Sequence, residues 1–154
     1  FVISNSLYNS NNKSGKRRAF VLIKTTSGRI LVVLDKKKKI WMLPGGLCNP
    51  NENYILTAVR ETREEWGGTL NNIKHIYTTN DNAAIFSSNY NFKNTTHDER
   101  VEIFSNRTTP HETSDYGFYN PKTKNVENYS GLNKKNQIFL KIALSTINNV
   151  INKY

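Results

Sequence analysis

Cysteine, acidic residues and long apolar runs are all scarce in this chain of 154 residues. The single cysteine, Cys48, excludes an internal disulfide framework and a cysteine-based zinc site, and it suits a reducing compartment. His75, His97 and His111 stand too far apart to form a helical ligand pair. No apolar run approaches the roughly 18 residues that a membrane span needs. The N-terminal FVISNSLYNSNNKSGKRR lacks the apolar stretch of a signal peptide. The expectation is an intracellular, cytoplasmic protein with no membrane partner, although a chain that opens on Phe1 rather than Met gives missing leader signals little weight.

Acid is short in number and uneven in place. There are 12 Asp and Glu against 22 Lys and Arg, a formal charge of +10. Such a surface draws in phosphates and polyanions, RNA among them. Lys, Asn and Ile are also the residues an AT-rich genome over-uses, so the charge has a compositional explanation beside the functional one. Yet PGGLCNPNENYILTAVRETREEWGG, residues 44–68, holds Glu52, Glu61, Glu64 and Glu65. Four Glu against Arg60 and Arg63 give that window −2 and leave +12 on the rest.

The length suits one domain, with residues 1–16 as a loose Asn/Ser-rich arm and 17–154 as the folded unit. RRAFVLIKT (17–25) and GRILVVLD (28–35) read as a β-hairpin, the lysine run 36–39 as the next turn, and IWML as a short third strand. Ile55, Val59, Thr62 and Trp66 fall at i, i+4, i+7 and i+11, which predicts a helix from near Asn53 to Gly67 with that stripe facing inward. Glu61, Glu64 and Glu65 then share the opposite face. IKHIYTT, AAIFSSNYNF, ERVEIFSN and YGFYN read as further strands, and residues 133–152 as a closing helix. Strands mixed with two helices indicate an α/β layered domain.

Three carboxylates at i, i+3 and i+4 repel by a few tenths of a kcal/mol per pair. They fit a solvated polar face, an acidic docking surface for a protein, or a hard-cation site, since Mg²⁺ takes oxygen ligands. The longer pattern separates these. From Gly46 the chain runs through five residues to Glu52, then seven to Arg60-Glu61, Thr62, Arg63, Glu64-Glu65, Trp66 and Gly67. This resembles the Nudix hydrolase box, G-x5-E-x7-R-E-U-x-E-E-x-G-U with U aliphatic, at all seven fixed positions. Chance produces such a match about once in a million chains of this size at average residue frequencies. Thr62 and Gly68 depart from the pattern, both at aliphatic positions, and a hydroxyl at 62 calls for a partner such as the carbonyl one turn back.

The resemblance implies an α/β/α sandwich with a mixed sheet and a Mg²⁺-dependent, or Mn²⁺-dependent, diphosphate hydrolase acting on a nucleotide. It implies a metal site of Gly46, Glu61 and Glu65, with Glu64 as the catalytic carboxylate and Arg60 holding the acids in place. Glu52 is expected to cap the helix. Family members often add an acid from a later loop; Glu112 is the first candidate, Asp115 and Glu99 its rivals. The subfamily markers for ADP-ribose and dinucleoside polyphosphate hydrolases are absent where the chain reads Ala83-Ala84-Ile85-Phe86. Phe86, Trp41 and Tyr116 are candidates to stack on a base, and Arg18 within KRR to bind phosphate. The basic body favours a capped RNA or other phosphate-rich substrate. A small nucleotide such as an oxidised triphosphate, or a module that binds nucleotide or RNA without cleaving it, stands as the alternative.

Overall fold

The computed structural model of the chain describes residues 16–135 and 137–138. Its strands are β1 Arg18–Lys24, β2 Ile30–Asp35, β3 Trp41–Met42, β4 Gly45–Leu47, β5 Lys74–Thr78, β6 Ala83–Asn89, β7 Thr113–Asn120 and β8 Asn125–Glu127. The helices are α1 Tyr54–Glu65 and α2 His97–Ser105, with a 3₁₀ turn at Phe92–Asn94. The main sheet order is β5-β6-β1-β2-β7-β8, with β3 added to β2 and β4 to β1. β1 and β6 run parallel and the other pairs antiparallel, so the sheet is mixed.

β1 is buried on both faces, which is why Ala19–Ile23 is an unbroken apolar run rather than an alternating one. Phe20 and Leu22 point into one core cluster with Ile30, Val32, Trp41 and Tyr119. Ala19, Val21 and Ile23 point into the other, where Tyr54, Ala58 and Trp66 of the α1 segment pack. The expected hairpin is present, and Lys24 pairs with Ile30 across its turn. The described residues thus form an α/β sandwich on a mixed sheet. Residues 1–15 of the expected N-terminal arm and 139–152 of the expected closing helix lie outside the described residues; Asn133, where that helix was expected to begin, forms an antiparallel bridge with Glu127. Among the described residues no helix is long and apolar enough to cross a membrane.

Two sequence expectations are corrected. Residues 99–106 are not a strand: Glu99–Ser105 falls in α2 and Asn106 caps its C-terminus, while the Thr96 hydroxyl accepts from Glu99 N at 3.1 Å, with Asp98 and Glu99 in the first turn. The cap and the first-turn acids complement the unpaired N–H groups and the helix dipole, and they override a chance alternation of Val101 and Ile103. The inward face of α1 is also displaced from the predicted stripe. Its buried residues are Tyr54, Thr57, Ala58, Glu61, Thr62 and Glu65, while Leu56 is 55% exposed. Glu61 and Glu65 therefore face the protein rather than solvent. Counting only apolar residues centred the stripe wrongly, because two inward positions are carboxylates that meet backbone.

Candidate metal centre

α1 begins on Asn53, whose side chain accepts from Leu56 N at 2.9 Å. It ends at Gly67, where φ is +95° and a Cβ would fall 2.0 Å from the Ile103 carbonyl oxygen. Between those ends the helix lies against β4, which β1 holds in register through Ala19–Gly46 pairing. Gly46 leaves room for the Glu61 carboxylate: a Cβ there would sit 2.8 Å from its Cδ and Oε1. Beside it, Gly45 N donates to Glu65 Oε1 at 2.8 Å.

The loop before β7 docks on the C-terminal end of α1. Thr109 N and Oγ1 donate to the Glu64 carbonyl at 3.1 and 2.9 Å, and Thr113 Oγ1 donates to the Glu65 carbonyl at 2.8 Å. These bonds satisfy carbonyls that the helix end leaves open. They also carry Glu112 to the helix, where oxygens of Glu61, Glu65 and Glu112 lie within 4.8 Å of one another. The rival acids go elsewhere. Asp115 pairs with Lys134 at 2.9 Å, and Glu99 accepts from the Thr96 hydroxyl.

Arg60 is the cation that organises the acids. Its Nε and Nη2 donate to the two oxygens of Glu52, both at 2.9 Å. Nη1 reaches Glu61 Oε1 at 3.0 Å and both Glu64 oxygens at 3.2 Å, and Nη2 also donates to the Leu47 carbonyl. Hydrogen bonding to Arg60 holds Glu52 down to about 2. Glu52 also accepts from Asn49 N and the Thr57 hydroxyl, so it is the anchor of Arg60 rather than the helix cap, a role Asn53 fills.

The inner acids behave in the opposite way. Burial, then the neighbouring charge of Glu64, pushes Glu61 up to about 7 despite Arg60. Burial raises Glu65 well above the usual carboxylate range, opposed by the Gly45 N–H. Two buried carboxylates and a third acid thus converge with more negative charge than Arg60 balances. Hard oxygen donors in that state fit Mg²⁺ or Mn²⁺, whose charge would relieve the repulsion.

The two departures from the box have different fates. Thr62 is fully buried and its hydroxyl has no hydrogen-bond partner, contrary to the expected back-bond. At Gly68 a Cβ would meet Trp66 Cζ3 at 2.2 Å, so the Trp66 ring fills the space an aliphatic side chain would take.

The proposed stacking residues are corrected. Phe86 is 0% exposed, edge-on to His75 at 5.6 Å, and presents no face to a base. Trp41 is likewise core at 1% exposure, and Tyr116 packs on Phe104 at 5.1 Å. The sheet carries a core cluster on each face, so the aromatic side chains of its strands serve packing. Arg18 sits opposite Leu47 on the β1–β4 pair, with its guanidinium on Asp81 at 2.6 Å. Sequence reasoning missed Thr109 and Thr113, which look like ordinary loop residues and act through backbone carbonyls. It also did not anticipate that the exposed lysine turn 36–39 borders the site, through Lys36 N donating to the Glu112 carbonyl at 2.8 Å.

A CMP-5'-(N-acetyl-N-hydroxy-3-aminopropyl)phosphonate hydrolase of Streptomyces rubellomurinus is 30% identical over 80 residues, 43% of this chain and 39% of that protein. The Xenopus laevis protein named nucleoside diphosphate-linked moiety X motif 6 is 46% identical over 43 residues, 27% of this chain and 20% of its own length. The chain thus spans well under half of these curated relatives. The crystal structure of the Bacillus subtilis pyrophosphohydrolase BsRppH superposes with a TM-score of 0.59, covering 94% of this chain and 84% of that one at 16% identity, a likeness of fold. The NUDIX domain family matches residues 15–129, a span that takes in the box, the sheet from β1 to β8 and the loop bearing Glu112, and the chain belongs to that family.

Proposed function

We propose that this chain is a Mg²⁺-dependent pyrophosphohydrolase that cleaves the diphosphate of a nucleoside diphosphate linked to another group. The observation that carries the reading is the convergence of Glu112 on Glu61 and Glu65, which sequence distance alone does not require. These three residues would hold the cation, with Gly46 giving Glu61 its place. A cation so held screens the phosphates and lowers the pKa of a bound water. Glu64, at the rim of the cluster, orients the attacking water and accepts its proton on a carboxylate oxygen. Arg60 is a positioning residue: one guanidinium fixes Glu61 and Glu64 relative to the Glu52 anchor.

The lysine turn beside Glu112 supports a phosphate-rich substrate, of which capped RNA is the fullest case, because each phosphate contact there adds affinity independent of the base. Arg18, expected to bind phosphate, is held on Asp81 and would have to leave that carboxylate to reach a substrate. The second reading is a small-nucleotide substrate, favoured by the name of the Streptomyces relative, a CMP-phosphonate hydrolase.

A product-resolved hydrolysis screen tests both. Capped RNA, ADP-ribose, dinucleoside polyphosphates, oxidised triphosphates and diphosphoinositol phosphates are offered in Mg²⁺ to the wild type and to Glu64→Gln. Cleavage at a diphosphate is expected, with the variant slower by about 10²–10⁴-fold and folded as before. Tight binding in Mg²⁺ with no turnover on any of them would replace the hydrolase by a binding module. A Glu64→Gln rate equal to wild type would remove Glu64 from the mechanism.

A further inference from the structure

A cavity of about 550 Å³ opens at the far end of the strands from the carboxylates. It is enclosed by the β1–β2 turn, the 3₁₀ turn leading to α2, and the segment after β8. Phe118 lies in its wall, and the six steps from Glu112, just before β7, to Phe118 cover roughly 20 Å at strand rise. The cavity is a separate place on the molecule from the acid cluster.

Its charged groups are not equivalent. Arg29 Nε donates to Glu127 Oε1 at 3.2 Å, and Asn120 Nδ2 donates to the other oxygen of Glu127 at 3.1 Å. The carboxylate lining the cavity is therefore already compensated. Arg100 is not. Its Nη1 donates to the Phe92 and Thr95 carbonyls at 2.7 and 2.8 Å, which fixes the guanidinium in place. Among the described residues no acid pairs with it, its Nη2 makes no hydrogen bond, and its Nε is buried without a partner. A half-buried guanidinium in that condition has lost hydration without gaining a counter-charge.

The rest of the lining suits an organic anion. Thr26, Ser27 and Ser130 bring hydroxyls to the mouth. Tyr129 is 48% exposed, yet its ring is held by a stack on His97 at 4.1 Å and by Arg100 at 5.1 Å. Phe92 continues the apolar wall. Volumes of this order accept ligands of nucleotide size. We propose that this cavity binds a small organic phosphate of the nucleoside monophosphate class, with the phosphate on Arg100 Nη2 and the hydroxyl rim and the ring along the Phe92 wall and the exposed edge of Tyr129.

Calorimetric titration of the full chain in EDTA tests the proposal, with AMP and inorganic phosphate as probes. Without a divalent cation and without turnover, the outcome is independent of the hydrolase reading. AMP is expected to bind wild type and Glu64→Gln alike, and to bind at least tenfold more weakly to Arg100→Gln. Arg100 also braces the Phe92–Thr95 segment, so Thr26→Glu serves as a second variant: Thr26 is exposed, and the new charge repels the phosphate without touching the core. It too should weaken AMP at least tenfold, and phosphate alone should bind at least tenfold more weakly than AMP. The proposal fails if AMP does not bind metal-free wild type, if Thr26→Glu binds it as wild type does, if Glu64→Gln abolishes binding, or if phosphate binds as tightly as AMP.

Discussion

Substitution of Gly46 by alanine should separate the stability of this protein from its chemistry. Gly46 sits in extended β4, where an alanine meets no backbone penalty, and loss of unfolded-state freedom would favour the variant by about 0.4–1 kcal/mol. The added Cβ would lie 2.8 Å from Glu61 Cδ and Oε1, against an ordinary contact of 3.4 Å or more. The atoms in the way are the far end of a flexible side chain, so the carboxylate moves by roughly 0.6 Å and the fold absorbs the change at little cost. Function does not absorb it, since a misplacement of about 1 Å in a catalytic constellation costs on the order of 10²-fold. We expect a rate ten- to a hundredfold below wild type, a smaller rise in Tm on adding Mg²⁺, and a Tm in EDTA within a few degrees of wild type. Initial rates and thermal melts with and without Mg²⁺ measure all three. A variant with the wild-type rate and the wild-type Mg²⁺ response would refute the placement of Glu61 at the centre of the site.

Three other outcomes follow from the same geometry. Glu61 is pushed up to about 7 from 4.5, so between these pH values the folded protein keeps a proton that the unfolded chain has released; metal-free stability should fall as pH rises from 4.5 to 7, by up to about 3 kcal/mol, and Mg²⁺ should cancel the fall. Urea unfolding of wild type and Glu61→Gln at pH 5, 6, 7 and 8 in EDTA checks it, because the raised Glu65 acts in the same direction and the burial-lowered His75 in the opposite one, and two parallel profiles contradict it; the depressed Glu52 acts only between about 2 and 4.5, below this window. Arg60→Lys keeps the charge but loses the fork to Glu52, so kcat should drop with KM little changed and stability fall by about 1–3 kcal/mol, read from steady-state kinetics beside denaturant melts. Gly68→Leu, which restores the aliphatic residue of the family pattern, should destabilise by about 1–3 kcal/mol because its Cβ meets the Trp66 ring at 2.2 Å, and a more stable variant would overturn that packing argument.

Much of the fold was legible because local chemistry and tertiary structure agree. The hairpin is written in two β-branched runs, and the box helix in its spacing and its terminal Gly67. The direction of the helix was not legible, since periodicity counts apolar side chains and cannot know that Glu61 and Glu65 face a strand of glycines. Residues 97–105 failed for the reason that a short apolar alternation fits either period, and the deciding signal was the Thr96 cap. Phe86 failed because burial of a strand on both faces depends on partners remote in sequence. The placement of Glu112 rests on Thr109 and Thr113 finding helix carbonyls 45 and 48 residues away, a long-range match with no local pattern.

That attachment has an evolutionary side. The loop grips α1 by its main-chain oxygens, which every amino acid provides, so the grip places no demand on which side chains the helix carries at those positions. An insertion, a deletion or an exchange of the loop can be tried while the helix residues stay untouched, provided two hydroxyls land where Thr109 and Thr113 land. The join between the helix half of the site and its loop half is thus a socket that reads shape and ignores sequence, and descendants of this chain are free to fit it with loops suited to different substrates.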